Sequence, residues 1–410
     1  MARFVWWREA SQDARRALVA AAFGWMLDSF DVMLWAFVVT AIMRDLRLTT
    51  RTAGLLGSLT LAASAVGGLV FGRIADRFGR RWALMASIAI YSIFTAACGL
   101  STGIVMLAIF RVFLGLGMGG EWASGAALVS ELWPAAHRGK ALGIVQSSWA
   151  VGYGLAAAVY ALVLPVWGWR GVFFVGVAPA FFTLWIQKKV REPEIWQAAR
   201  VKAAKAGSPA LKEIFGRGRL RLTLFITLMN ACTMFGWWGF NLWLPAYLSL
   251  APKNGGIGLA PGAVSALVIV MQAGMWSGYI TFGFISDRLG RKRSYVIFLA
   301  AAAAFMLLYS RTREPLVLFA LGPLVAFFGT GYFTGFGALT AEIYPTSVRA
   351  TAQGLTYNAG RIVSAAAPLV VGSLAQTKGF SFSFGIVAAA FLAAAVLWAG
   401  IPETRGRPLE

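Results

Sequence analysis

The sequence predicts an all-α polytopic membrane protein with twelve transmembrane helices in two pseudo-symmetric six-helix bundles. Three observations carry that expectation. Hydrophobic residues fill 59% of the 410 positions and charged residues only 13%, roughly half the charged share of a soluble domain. Apolar runs recur from Ala17 to Ile401, each suited to a bilayer core that takes about 20 helical residues per crossing. They are apolar all round, whereas a soluble amphipathic helix shows one apolar stripe. Finally, two motifs of the first half return in the second at a single offset.

The runs between charged or Gly/Pro-marked gaps place spans near 17–42, 54–72, 82–100, 104–130, 140–162, 168–188, 221–249, 263–285, 294–310, 315–341, 351–374 and 382–401. These give an N-terminal half over 1–188, a basic linker over 189–220 and a C-terminal half over 221–410. Within the linker, EIWQAARVKAAK reads as an amphipathic helix at the membrane surface. Its plain role is to join the halves.

The net charge of +21 invites a nucleic-acid reading, which fails on distribution. Lys and Arg sit in short gaps between apolar runs, without a basic stripe of interleaved aromatics, so no nucleic-acid partner is expected. With the N-terminus inside, most of the 37 basic residues fall on the cytoplasmic side, Arg15, Arg16, Arg77, Arg80, Arg81, Arg291, Lys292 and Arg293 among them. Arg44, Arg47 and Arg51 run against that bias. The balance predicts both termini in the cytoplasm and a multi-pass protein of the cytoplasmic (inner) membrane. MARFVWWREASQDARR lacks the apolar core and small-residue site of a cleavable signal. Cys98 and Cys232 lie inside apolar segments and suggest neither a disulfide nor a metal framework; no cofactor is expected.

Gly72 to Arg81 reads GRIADRFGRR, and Gly283 to Lys292, 211 positions later, reads GFISDRLGRK. Glu131 to Gly139 (ELWPAAHRG) returns as Glu342 to Ala350 (EIYPTSVRA) at the same offset. Glycines in this element, Gly72, Gly79, Gly283 and Gly290, suit close helix approach. Asp76 and Asp287 can accept from the first backbone N–H groups of a neighbouring helix. The arginines Arg77, Arg80, Arg288 and Arg291 can pair with the acids ending the fourth span of each half, Glu131 and Glu342. These residues read as gate and scaffold rather than as substrate ligands.

These motifs resemble those of the major facilitator superfamily, and the likeness covers essentially the whole chain. Within it, LDSFDVMLWAFVVT (27–40), GMGGEWASGAALVSELWP (117–134), VLPVWGWRGVFFVGVAP (163–179) and YNAGR (357–361) are similar to the sialate:proton symporter group. That group holds bacterial sialic acid transporters and fungal lactate/pyruvate permeases. LDSFD also looks like the D-G-x-D of aromatic-acid:proton symporters, and PETRGRPLE resembles sugar porters. The resemblance implies the major facilitator fold and alternating access, with substrate bound near the midplane between the halves. Two departures bear on the substrate. The long middle of many bacterial sialic acid transporters is here a short basic loop. The seventh-span N-x-x-[ST]-H-x-[ST]-Q-D of fungal permeases is here NACTMFGWW, which keeps Asn230 and Thr233 but neither the His nor the Gln-Asp.

Ionisable residues inside spans are functional by default, and this chain has few: Asp28, Asp31, Arg111, Glu121 and Arg361. At 1.5 Å per residue, Asp31 and Arg111 fall roughly 20 Å from the cytoplasmic face, and Asp28 and Glu121 nearer 15 Å. An Asp31–Arg111 pair is therefore expected. His137, the only histidine, lies in a loop, so the proton carrier falls to Asp28, Asp31 or Glu121. A permanent, helix-ordering salt bridge with Arg111 is the plainer alternative. Arg361, with no acid in its own span, offers a planar fork to a substrate carboxylate or to an acid elsewhere. Asn230, Trp238, Asn241, Tyr357, Asn358 and, more weakly, Gln146 and Gln272 are the candidate polar lining, joined by Arg111. Trp237 and Trp238 equally suit a lipid belt.

The expected function is proton-coupled symport of a small organic monocarboxylate of the sialic acid, lactate/pyruvate or aromatic type. The expected partners are that anion, a proton and the lipid bilayer, and the expected state is a monomer. A sugar or polyol transporter is the alternative. No nucleotide loop, metal cluster or nucleophile–base pair suggests an enzyme.

Overall fold

Each apolar run is a helix. We number them α1 (Gln12–Asp45), α2 (Thr50–Phe78), α3 (Arg80–Cys98), α4 (Ile104–Leu132), α5 (Arg138–Val175), α6 (Ala178–Lys189), α7 (Leu220–Asn241), α8 (Leu244–Ser249), α9 (Pro261–Leu289), α10 (Arg291–Arg311), α11 (Pro315–Thr330), α12 (Phe336–Ile343), α13 (Arg349–Ser364), α14 (Ala367–Lys378) and α15 (Phe380–Leu397). The computed structural model describes residues 7, 9–133, 137–192, 219–344 and 349–405. The helix expected at 194–205 lies outside the described residues, as do the side chains of Asp76, Ala123, Arg138, Gly139, Ala341, Arg349, Ala350 and Thr351.

Among the described residues, 11 stretches are long and apolar enough to cross a membrane. One of them, Lys140–Lys189, is 50 residues long, more than twice the length of one crossing. It turns at Gly168, whose φ of 63° and ψ of −171° lie outside the helical region, a conformation glycine adopts without steric cost. The stretch therefore supplies two crossings, which gives the twelve expected. Large apolar side chains such as Leu162, Val166, Leu316 and Val396 stand exposed, as a lipid-facing surface requires.

The helices divide into two compact units, Met1–Leu34 with Ala62–Gly207, and Trp35–Leu61 with Ser208–Glu410. In the first unit, α3 packs on α4, α5 and α6. Small residues set that closeness: a Cβ on Gly117 of α4 would stand 2.6 Å from the backbone nitrogen of Tyr91 on α3. In the second unit, α9 packs on α11, α10 on α15, and α7 on α13 and α15. The C-terminal end of α1 and the N-terminal end of α2 belong here too. The Ser58 hydroxyl accepts from Leu369 N at 3.1 Å.

The repeat is imperfect in one informative way. α1 and α4 run unbroken, and so does α5 up to Gly168. Their counterparts 211 positions on are interrupted. The first of these stops at Asn241 and resumes at Leu244. The second passes through a 3-10 turn at Gly331–Gly335, and the third stops at Ser364 and resumes at Ala367. Pro245 and Pro368 open the resumed helices α8 and α14, where a missing N–H costs nothing. Trp243 ties two of the breaks together by donating its indole N–H to Pro368 O at 2.9 Å.

Candidate functional site

The first unit buries a charged cluster in its core. Asp28 and Asp31 of α1, Arg111 and Glu121 of α4, and Tyr91, Thr95 and Cys98 of α3 are all essentially inaccessible. Asp28 and Asp31 are three residues apart and share a helix face. Glu121 reaches α1 one turn earlier, where a Cβ on Gly24 would stand 2.5 Å from its Oε1. The Tyr91 hydroxyl donates to Gly24 O at 3.4 Å.

The expected Asp31–Arg111 ion pair is not formed. Both Asp31 carboxylate oxygens are buried without a hydrogen-bond partner among the described residues. Thr95 lies beside this carboxyl, but its single hydroxyl hydrogen goes to Tyr91 O at 2.8 Å. The lone pairs that remain on Thr95 can only accept. Tyr91 and Thr95 went unnoticed in the sequence because neither is charged. Their signal is a spacing of four on the third span, which puts both on one face. Next to the acids, Trp25 meets Trp122 and Trp149 at centroid distances of 4.7 and 4.6 Å.

The second unit holds Arg361 one turn before the α13–α14 break. It is 3% exposed, and it has no ion pair among the described residues. Asn230 of α7 faces the same helix and donates to Thr356 O at 3.3 Å and to Tyr357 O at 3.5 Å. Asn241 donates to Trp237 O at 2.9 Å, and Asn358 to Gly354 O at 2.9 Å. Each of these amides therefore holds backbone through an N–H. Trp238 is buried against Trp237, edge to face at 4.7 Å. That places both inside the bundle and not in a lipid belt. Tyr357 packs on Phe336 at 5.9 Å, and Gln146 of α5 is half-buried.

At the ends of the repeated motif, both Arg–Glu pairs form. Arg80 Nε meets Glu131 at 3.1 Å, and Arg291 Nη2 meets Glu342 at 2.8 Å. Each pair lies within one unit. Three details of the sequence reading change. A Cβ on Gly72 or Gly283 would meet nothing within 4 Å, so these two glycines do not serve close helix approach. Asp287 is exposed and is held by Arg291 of the following turn at 2.6 Å, so it caps no neighbouring helix; the side chain of Asp76 lies outside the described residues. Arg77 lies 5.4 Å from the Phe78 ring, and Arg288 presents its carbonyl to Arg405 at 2.8 Å.

Two glutamates take the capping role instead, again 211 positions apart. Glu192 accepts from Arg80 N and Arg81 N, and Glu403 from Arg291 N at 2.8 Å and Lys292 N at 3.1 Å. Each carboxylate therefore sits at the positive end of a helix, α3 or α10. Gly79 and Gly290 precede those helices at φ 119° and 95°. A side chain at either would collide with the capping carboxyl, 2.7 and 2.5 Å away. The environments differ. Burial pushes the Glu192 carboxyl above its usual value despite the N–H groups it accepts from. For Glu403 burial acts the same way but is outweighed by N–H donors from Arg405, Arg291, Lys292 and Thr404, which hold the carboxyl below its usual value.

Comparison with known proteins joins these observations. The Major Facilitator Superfamily model matches residues 18–280 and 226–409. The chain is a member of that superfamily. Among relatives of this major facilitator protein is one from Haemophilus influenzae, named for metabolite transport, 35% identical over 96% of this chain and 98% of the relative. The sialic acid transporter NanX of Escherichia coli is 30% identical over 96% of each chain. The cis,cis-muconate transport protein of Acinetobacter baylyi is 31% identical over 95% of this chain and 94% of its own. Among solved structures, the xylose transporter XylE of Escherichia coli, in a partially occluded inward-open conformation, superposes with a TM-score of 0.78 at 21% identity, over 97% of this chain and 100% of that one. That likeness concerns the fold. The facilitator is a multi-pass membrane transporter of small molecules, not an enzyme.

Proposed function

We propose that this facilitator is a proton-coupled symporter of a small organic monocarboxylate, working by alternating access between halves 1–188 and 221–410 joined by the linker 189–220. The observation that carries the reading is Arg361, a buried guanidinium without an acidic partner among the described residues. A buried cation of this kind is stable when an anion completes it, and a guanidinium matches a carboxylate fork to fork. Sialic acid and muconate, named for two relatives, are both carboxylic acids, muconate with two carboxyl groups, which supports a carboxylate as the anion.

The proton belongs to the first unit, at Asp31, with Asp28 and Glu121 sharing the negative charge. A carboxyl buried in one cluster with two other acids is suited to load and release a proton. Arg111 lies in the same cluster, where its positive charge balances part of theirs. The polar lining comes from Asn230, Trp238, Asn241, Tyr357, Asn358 and Gln146. The repeated motif with its Glu131 and Glu342 partners forms the cytoplasmic gate. With both termini cytoplasmic and the protein a monomer in the inner membrane, the outward proton and anion load together. Charge neutralisation then lets the halves exchange, because a ligand drives such a change only by preferring one state. The test is uptake into proteoliposomes under an inward proton gradient, with labelled sialic acid, lactate, pyruvate and benzoate. The reading predicts accumulation of one acid that a protonophore abolishes; sugar uptake indifferent to the protonophore would reject it.

A further inference from the structure

A hollow inside the second unit has no role so far. It lies where α7 and α11 are interrupted, and its walls are Trp237, Phe240, Met271, Met275, Met306 and Phe391. Two polar groups at its rim donate to their own helices: Asn241 to Trp237 O and Thr330 to Ala326 O at 2.6 Å. The third is different. Gln272, on the α9 wall, is 6% exposed, and its Oε1 has no hydrogen-bond partner among the described residues. A buried amide oxygen in that position costs stability comparable to a lost hydrogen bond, which a transporter retains where a ligand supplies the missing donor.

Resting on the symport reading above, we infer that this hollow is the subsite for the uncharged end of the substrate, and that Gln272 selects a planar, unsaturated acid with a hydrogen-bond donor remote from its carboxylate. Three aromatic faces and three thioethers form a surface suited to a flat π-system. In the present conformation the space admits about one water molecule, so a ring enters by displacing side chains. Methionine, with three rotatable bonds, is the apolar residue best able to give way. Selection follows from the same chemistry. One hydroxyl or N–H meets the Gln272 oxygen, whereas a polyhydroxylated ligand would leave further donors against apolar walls. Arg361 and this hollow share α7 as a neighbour. Asn230, beside the Arg361 helix, precedes Trp237 by two turns, about 10 Å along the axis, which a compact aromatic acid and two long side chains can bridge.

The experiment is calorimetric binding of benzoate and 4-hydroxybenzoate to the purified full-length protein, which does not depend on proton coupling. The expected result is tighter binding of 4-hydroxybenzoate, by about tenfold for one hydrogen bond. Gln272→Leu should bring the two affinities together while benzoate binding changes little. Met306→Phe, which fills the hollow, should weaken both acids but the hydroxylated one more. Equal loss of both acids in Gln272→Leu overturns the inference, as does an unchanged preference, or failure of the wild type to bind either acid. Binding with the expected preference but without protonophore-sensitive uptake would leave the subsite standing and reject only the coupling.

Discussion

Arg291 grips Glu342 with two nitrogens, Nη2 at 2.8 Å and Nε at 3.2 Å, while its third nitrogen is held by Asp287 at 2.6 Å and Ser286 at 2.7 Å. Thr404 donates to the other Glu342 oxygen at 2.6 Å. Four elements of the second unit thus meet at one guanidinium. The counterpart in the first unit, Arg80, reaches Glu131 through Nε at 3.1 Å.

Removing the hub should loosen this end of the second unit. Arg291→Ala leaves Glu342 half-buried without its cation, and loss of such a charge-assisted contact costs about 2 kcal/mol. A thermal melt of the purified protein should show a lowered midpoint. The double variant Arg291→Glu/Glu342→Arg should recover part of the loss, whereas Glu342→Arg alone should not.

The two helix caps should respond oppositely to pH. The Glu403 carboxyl is held below its usual value, so the folded state binds its proton less readily than the unfolded chain. Its stabilisation is present above the unfolded value of about 4.3 and is lost as pH falls through the lower folded value. The Glu192 carboxyl is raised, so its contribution is complete below about pH 4.3 and declines as pH rises through the folded value. Melting curves across pH should therefore separate Glu403→Gln, which destabilises at neutral pH, from Glu192→Gln, which is neutral or stabilising there.

Gly117 should resist any side chain. A methyl there would press on the Tyr91 backbone at 2.6 Å, and overpacking of that kind costs about 1–3 kcal/mol. Because Tyr91 opens the helical turn that ends at Thr95, Gly117→Ala should also impair uptake beyond its effect on protein yield. Gly72→Ala, where a Cβ meets nothing, should do neither.

Arg361 should be sensitive to shape as well as charge. Replacing a bidentate guanidinium with glutamine removes charge-assisted bonds, raising the KM for the transported anion roughly 10- to 100-fold. Lysine should recover only part of it, since a point charge does not reproduce the fork. Initial uptake rates against anion concentration provide the measurement.

Much of the architecture was legible because it depends on composition. Apolar length alone identifies a crossing, and the Arg–Glu pairs followed from motifs repeated 211 positions apart. Direction around a helix axis was not legible, which is why Asp31 and Arg111 were expected to pair and do not. Glu192 and Glu403 stand at the same offset as the motifs, so the caps could have been found by extending the repeat through REPE and PETR. The breaks near Pro245, Gly331 and Pro368 were hidden because hydropathy runs straight across them. Gln272 was singled out only weakly, because a lone amide in a span ordinarily bonds a neighbouring helix. What sets it apart is an oxygen without a partner among the described residues, which only the folded chain reveals.

The most direct measurement is uptake of labelled benzoate, lactate, pyruvate and sialic acid into proteoliposomes with and without an inward proton gradient, for the wild type, Asp31→Asn and Arg361→Gln. The account predicts gradient-driven, protonophore-sensitive accumulation of one acid by the wild type. Asp31→Asn should still exchange that acid across the membrane but no longer concentrate it, and Arg361→Gln should do neither. Undiminished concentrative uptake by both variants, or sugar transport indifferent to the gradient, would contradict it.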